Sequence, residues 1–178
     1  MKQSSHKNRL QADKLSNVLK QITEIDEVAG SSANLMQIVN LICDELEFYY
    51  VGIYLLVNES FGDETEEFLV LIAASEEKGL LESSSLYRKR VGNKSLIGWV
   101  AKNHRARIAL DIGENAVQFR NPLLPDIRSE IALPITFEGK LIGVLDIHSV
   151  YESAFSEDDV ILLQPITNYI ADIQVANV

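Results

Sequence analysis

Two ionisable residues close to the end of one apolar run are the first candidates for chemistry. Asp146 and His148 are separated by a single residue in the segment GKLIGVLDIHS. Residues i and i+2 of a strand point to the same face, so a carboxylate and an imidazole would lie side by side. Such a pair could bind a metal ion or transfer a proton. With no third ligand in view, we predict two ordinary polar residues and no metal site.

Three other polar groups each have two interpretations. Arg128, Ser129 and Glu130 could bind the polar head of a ligand, or they could form a salt bridge at the start of a strand. The basic residues 88–90 could form an anion site or the solvated face of a strand. His104 suits the C-terminus of a helix, and haem ligation is the alternative.

Cysteine content and motifs restrict catalysis. Cys43 is the only cysteine, which excludes an internal disulfide, a cysteine-based zinc cluster and a redox cycle of paired thiols within the chain. The sequence has no Gly-rich phosphate loop, no GxSxG elbow and no HExxH pair. We therefore predict that the chain is not an enzyme.

The elements that position these residues are clearest near the C-terminus. Apolar runs at 131–137 and 141–147 flank Glu138-Gly139, which predicts a β-hairpin with a two-residue loop. Ser156 is a candidate N-cap for a closing helix whose first turn carries three acidic residues.

Further upstream, two amphipathic helices are predicted, followed by strands at 49–57 and 68–74 with the acidic segment NESFGDETEE as a connector between them. A helix entered through Asn93 or Ser95 and a strand at 107–111 complete the prediction.

Composition limits the class of partner. The chain has 178 residues, 47% of them hydrophobic, which suits one domain with a substantial core. Residues 1–20 carry a net charge of +4. Since the net charge of the whole chain is −10, residues 21–178 carry −14. This acidic part argues against nucleic-acid binding. No apolar stretch approaches the ~20 residues of a membrane span, so we predict a cytoplasmic protein.

The strings RSEIALPI, GKLIGVLDIHS and FSEDD resemble the C-terminal half of a GAF domain, a small-ligand signalling module. SLIGWVAKNHRARIALDI resembles the central helix and following strand of the same family. The resemblance implies an α+β fold, with an antiparallel sheet of about five or six strands, terminal helices on one face and ligand-cavity segments on the other. It divides the chain into an N-terminal helix and linker, 1–32, and a GAF-like domain, 33–178.

The resemblance also implies where a ligand would lie. Candidates to line the cavity are Trp99, Ile108, Leu110, Ile112, Phe119, Ile127, Ser129, Ile131 and Asp146, with Arg128, Ser129, Glu130 and Asp146 as polar anchors. Core packing is the more frequent role for a tryptophan such as Trp99.

Departures from known subfamilies leave the ligand and cofactor unidentified. Phe155 and Asp159 match part of the cyclic-nucleotide pattern, but Ser149-Val150 and Val160 do not. Bilin-binding members need a cysteine near the pocket, and free methionine sulfoxide reductases of this fold use several cysteines; Cys43 meets neither requirement.

The segment NPLLPDIRSEIALPI is most similar to GAF domains of bacterial histidine kinases and related regulators. The resemblance therefore implies a sensory domain of a two-component or related system, which binds a small molecule and signals to a kinase or cyclic-dinucleotide output domain. The alternative is a ligand-free dimerisation and relay module. The apolar stripe of the first helix must pack on the domain or on another subunit, and we favour a homodimer.

Overall fold

The computed structural model describes residues 2–25, 31–75, 88–92, 94–112 and 124–176. The helices are α1 (Lys2–Thr23), α2 (Ser31–Leu46), α3 (Leu96–Asn103) and α4 (Glu157–Ala176). The strands are β1 (Tyr50–Phe61), β2 (Glu64–Ala74), β3 (Arg88–Arg90), β4 (Arg107–Ala109), β5 (Ser129–Phe137) and β6 (Lys140–Ser149).

One six-stranded sheet organises the described chain, in the order β3-β2-β1-β6-β5-β4, with every neighbouring pair antiparallel. Helices α1, α2 and α4 contribute to one core cluster, whereas α3 contributes to another. The expected α+β fold, with a sheet of about five or six strands and terminal helices on one face, is therefore confirmed.

Side-chain alternation along β5 and β6 separates the two faces of the sheet. Ile131 and Ile147 pack with the terminal helices, whereas Ala132 and Val144 pack with α3. Strands β5 and β6 therefore contact both layers. Neighbouring residues in each strand belong to opposite faces of the sheet.

The β5–β6 hairpin has the predicted loop. Glu138 and Gly139 take φ values of 49° and 77°, the left-handed conformations that a two-residue hairpin turn needs. The register shifts between Ile135 and Thr136, which marks a β-bulge. Pro134 lies beyond the β4 pairing, which ends at Ala132, so its missing N–H removes no bond to that strand.

The acidic segment NESFGDETEE is not the connector that we predicted. Strand β1 continues to Phe61 and β2 begins at Glu64, so most of the segment belongs to one long hairpin. Two of its acidic side chains form ion pairs with β3, Glu59 with Arg88 and Glu66 with Arg90. These pairs place acidic side chains beside basic ones along the edge of the sheet.

The apolar stripe of α1 is covered within the chain. Leu15, Val18 and Ile22 are buried in the same core cluster as residues of α2 and α4. The stripe therefore does not offer the free surface from which we expected a homodimer.

The closing helix begins as predicted after Ser156, whose backbone N–H and hydroxyl both donate to Asp159 Oδ2 at 2.7 Å. Among the described residues, no helix combines the length and apolarity needed to cross a lipid bilayer.

Candidate functional site

Three ionisable side chains meet on the α3 face of the sheet. The register places Glu130 of β5 opposite His148 of β6, and Asp146 opposite Ala132. Glu130, Asp146 and His148 are only 7%, 4% and 4% exposed. His148 Nε2 lies 2.9 Å from Asp146 Oδ2 and 3.9 Å from Glu130 Oε1. We call these three residues the polar cluster.

Strand β1 forms the next part of the site. Tyr50 pairs with His148 across the strands, and their ring centroids are 4.9 Å apart. Gly52 pairs with Asp146, and a Cβ atom added there would lie 2.6 Å from Tyr50 Oη. The absence of a side chain at Gly52 therefore lets the tyrosine ring lie beside the cluster.

Lys89 of β3 interacts electrostatically with Asp146 and Glu130 of the polar cluster. It pairs with Leu69, which belongs to the α3-side core, and its side chain is partly buried. Burial lowers the pKa of Lys89, while the charges of Asp146 and Glu130 act in the opposite direction. The neighbouring arginines 88 and 90 instead pair with glutamates of the long hairpin, so residues 88–90 do not form one basic anion site.

Burial and mutual charge hold protons on the cluster. Burial and the charge of Asp146 raise the pKa of Glu130 to about 8, against the smaller opposing effects of His148 and Lys89. Burial opposes the charged form of His148, but the charges of Asp146 and Glu130 outweigh it and raise the pKa of His148. A neutral Glu130 beside a protonated His148 is the arrangement that these directions favour.

Two polar atoms of the cluster lack hydrogen bonds. Asp146 Oδ1 and His148 Nδ1 are buried and have no hydrogen-bond partner among the described residues. Since an unpaired buried polar atom costs about 1–3 kcal/mol, these atoms are candidates to contact a ligand.

Glu130 and Asp146 are the predicted anchors that the structure brings together. Ile127 is buried nearby in a small apolar cluster with Tyr50 and Leu124. Trp99 is partly buried on α3, where the Arg107 guanidinium lies 4.6 Å from its ring centroid.

Other predicted site residues lie elsewhere. Ile108 pairs with Ile131, and both pack on the side of the terminal helices. Ser129 donates its hydroxyl to the Tyr151 carbonyl at 2.7 Å. Arg128 forms exposed ion pairs with Asp111 and Glu152, as the salt-bridge interpretation expected. The last two predicted site residues are Leu110, which is 53% exposed, and Phe119, which lies outside the described residues.

The structure places a third ionisable side chain, Glu130, beside the Asp146–His148 pair, which we did not predict from the sequence. Extending the two-residue hairpin without a bulge would place Glu130 opposite Ile147, on the wrong face for the Asp146–His148 pair. The bulge between Ile135 and Thr136 moves Glu130 opposite His148. We found no third group beside the pair because the sequence alone did not reveal the bulge.

The sequence matches one known protein family. The sequence profile of the GAF domain matches residues 32–173. No curated protein matches the chain in sequence.

Solved structures of similar fold come from several bacteria. A free methionine-R-sulfoxide reductase from Neisseria meningitidis, in complex with its substrate, is 22% identical with a TM-score of 0.72, over 96% of this chain and 92% of that chain. A GAF sensor protein from Burkholderia vietnamiensis is 19% identical with a TM-score of 0.71, over 91% and 94%. The GAF domain of a Coxiella burnetii phosphoenolpyruvate-protein phosphotransferase is 22% identical with a TM-score of 0.71, over 93% and 95%.

These structures correct one prediction. We predicted from the motifs that the chain is not an enzyme, but several solved structures with its fold are free methionine-R-sulfoxide reductases. Those proteins are enzymes built on a GAF-like fold, so the motif argument does not decide against catalysis.

Proposed function

The chain belongs to the GAF domain family, and we propose that it is a sensory or regulatory domain whose small-molecule ligand contacts the polar cluster. The observation that carries this proposal is the burial of Glu130, Asp146 and His148 with polar atoms left unpaired. A core built only for stability gains little from such atoms, whereas a binding site uses them to orient its ligand.

The strands of the cluster give a route to the terminal helices. In β6, Asp146 and His148 alternate with Leu145 and Ile147, which belong to the core cluster on the opposite face. Ile166 and Ile170 of α4 are buried in that same core cluster. A ligand that shifts β5 or β6 would therefore change the packing of α4, which is how the domain would relay its state.

Partners of the relay follow from the same helix. We propose that α4 continues the signal to a kinase or cyclic-dinucleotide output domain in a cytoplasmic regulator of the two-component type. We also propose a homodimer through the terminal helices, at a surface that includes Ile161 of α4, which is 71% exposed.

Native mass spectrometry of protein purified from cells tests ligand binding. We expect a native mass above the denatured mass in the wild type, and loss of the extra mass in Asp146→Asn. The matched control is Asp111→Asn, an exposed carboxylate outside the cluster, which should retain it. Equal native and denatured masses in the wild type would support the ligand-free relay module instead.

Free methionine sulfoxide is a second probe, chosen because it is the substrate class named for the Neisseria meningitidis structure. The sole cysteine, Cys43, lies on α2 and packs against the core on the helix side of the sheet, so a disulfide cycle would need a thiol from another molecule. Methionine formation with dithiothreitol, lost in Cys43→Ser, would favour a reductase and count against a purely sensory role.

A further inference from the structure

The polar cluster contains three donor types that metal ions use. One donor is an imidazole nitrogen, His148 Nε2, and two are carboxylate oxygens, from Asp146 and Glu130. Three such atoms, one from each residue, lie within 4.8 Å of one another. All three residues belong to the paired strands β5 and β6, which hold them in a fixed register.

We propose that Glu130, Asp146 and His148 form a binding site for one divalent transition-metal ion of the zinc class. The ion, and not an organic molecule, would be the group that contacts these three side chains. This inference rests on the proposed function, since it names what the same site binds. It does not depend on the relay to α4.

The donor spacing suits a four-coordinate ion. Ligand bonds of about 2.0–2.2 Å in a tetrahedron put donor atoms about 3.4 Å apart. The distances from His148 Nε2 to Asp146 Oδ2 and Glu130 Oε1, 2.9 and 3.9 Å, lie on either side of this value. Side-chain rotations that move each carboxylate oxygen by about half an ångström would therefore bring both carboxylates to the ion.

The donor chemistry selects among metals. Imidazole nitrogen suits zinc, iron, copper and nickel, whereas carboxylates alone suit magnesium, calcium and manganese. A site with one histidine and two carboxylates is therefore suited to zinc-class ions. Three protein ligands leave the fourth position of a tetrahedral zinc ion to water or to an atom of a small molecule.

Charge and burial support a cation at this place. Two carboxylates lie in a site that is less than a tenth exposed, and a bound metal ion would replace the protons that Glu130 and His148 hold in its absence. Buried charges in proteins are paired or coordinate metals. Asp146 Oδ1, which is buried without a hydrogen bond, is also available as a second carboxylate oxygen for the ion.

The test uses zinc and cobalt directly. The full chain is treated with a chelator and dialysed, and Zn²⁺ is then titrated in competition with a metal-sensitive dye. We expect one ion per chain, with Co²⁺ giving the visible absorption of a four-coordinate site. Glu130→Gln, Asp146→Asn and His148→Gln should each weaken zinc binding by at least about tenfold.

A matched control and a folding check keep the result interpretable. His104→Asn replaces an exposed histidine that caps α3 in the left-handed conformation, which asparagine also tolerates, and it should bind zinc as the wild type does. Near-ultraviolet circular dichroism checks that each variant is folded. Absence of stoichiometric zinc in the wild type, or undiminished zinc in folded Asp146→Asn and His148→Gln, would overturn the proposal.

The outcomes also separate this inference from the proposed function. An organic molecule retained by the wild type and lost in Asp146→Asn, with no zinc bound, would overturn the metal site and leave the sensory proposal intact. Stoichiometric zinc that depends on the cluster but leaves α4 unchanged would support the metal site and count against the relay.

Discussion

Replacing Glu130 by glutamine should remove much of the pH dependence of stability between pH 5 and pH 8. Glutamine has nearly the shape of a protonated glutamate, so the variant keeps the neutral form that the folded protein favours. Burial and the charge of Asp146 raise the pKa of Glu130 from 4.5 to about 8 on folding. The folded protein therefore binds a proton that the unfolded chain releases above pH 4.5.

The sign and size follow from proton linkage. A raised pKa in the folded state stabilises the protein below that pKa, and the stabilisation is lost as the pH rises towards 8. With about 1.4 kcal/mol for each pH unit between the two pKa values, Glu130 contributes a loss of at most about 3.5 kcal/mol from pH 5 to pH 8. The raised pKa of His148 acts in the same direction.

Urea unfolding followed by circular dichroism at pH 5, 6, 7 and 8, with a chelator present, measures this effect. We expect the free energy of unfolding of the wild type to fall with pH, and that of Glu130→Gln to fall much less. The control, Glu152→Gln, removes an exposed ion pair and should change stability by less than about 1 kcal/mol without changing the slope. A flat or rising wild-type curve, or an equally steep one in Glu130→Gln, would show that folding does not raise the pKa of Glu130.

Three further substitutions test the fold that supports the site. Gly52→Ala should cost about 1–3 kcal/mol, because its Cβ would lie 2.6 Å from the buried Tyr50 hydroxyl; unchanged urea unfolding would contradict this. Ser95→Ala should cost about 1 kcal/mol by removing the 3.1 Å bond from Gly98 N–H at the start of α3, and an unaltered melting temperature would count against it. Ile170→Ala, at a fully buried position of α4, should cost about 2–5 kcal/mol in chemical denaturation, and a loss below 1 kcal/mol would show that α4 packs loosely.

Local signals predicted the elements whose ends are fixed by neighbouring residues. Glu138-Gly139 specified the hairpin turn, and Ser156 specified the start of α4, because both depend on contacts within a few residues. Local signals narrowed the cap of α3 to Asn93 or Ser95, and the structure has Ser95.

Long-range contacts explain what the sequence did not reveal. The acidic hairpin looked like a solvated connector, since its partners Arg88 and Arg90 are more than 20 residues away along the chain. The sequence left open whether the stripe of α1 packs on the domain or on another subunit, since its burial depends on α4 at the other end of the chain as well as on α2. Within the site, Glu130 and Asp146 were named as anchors, but their meeting with His148 required a bulge that no residue type announces.

We propose that occupancy of the polar cluster on one face of the sheet changes the terminal helices on the other. Hydrogen–deuterium exchange tests it most directly, with protein as purified compared with the same protein after unfolding, dialysis and refolding. We predict slower exchange in β5, β6 and α4 of the protein as purified, with the hairpin tip around Gly62 unchanged as an internal control. Identical exchange in α4, alongside a cluster that is shown to be occupied, would contradict the account.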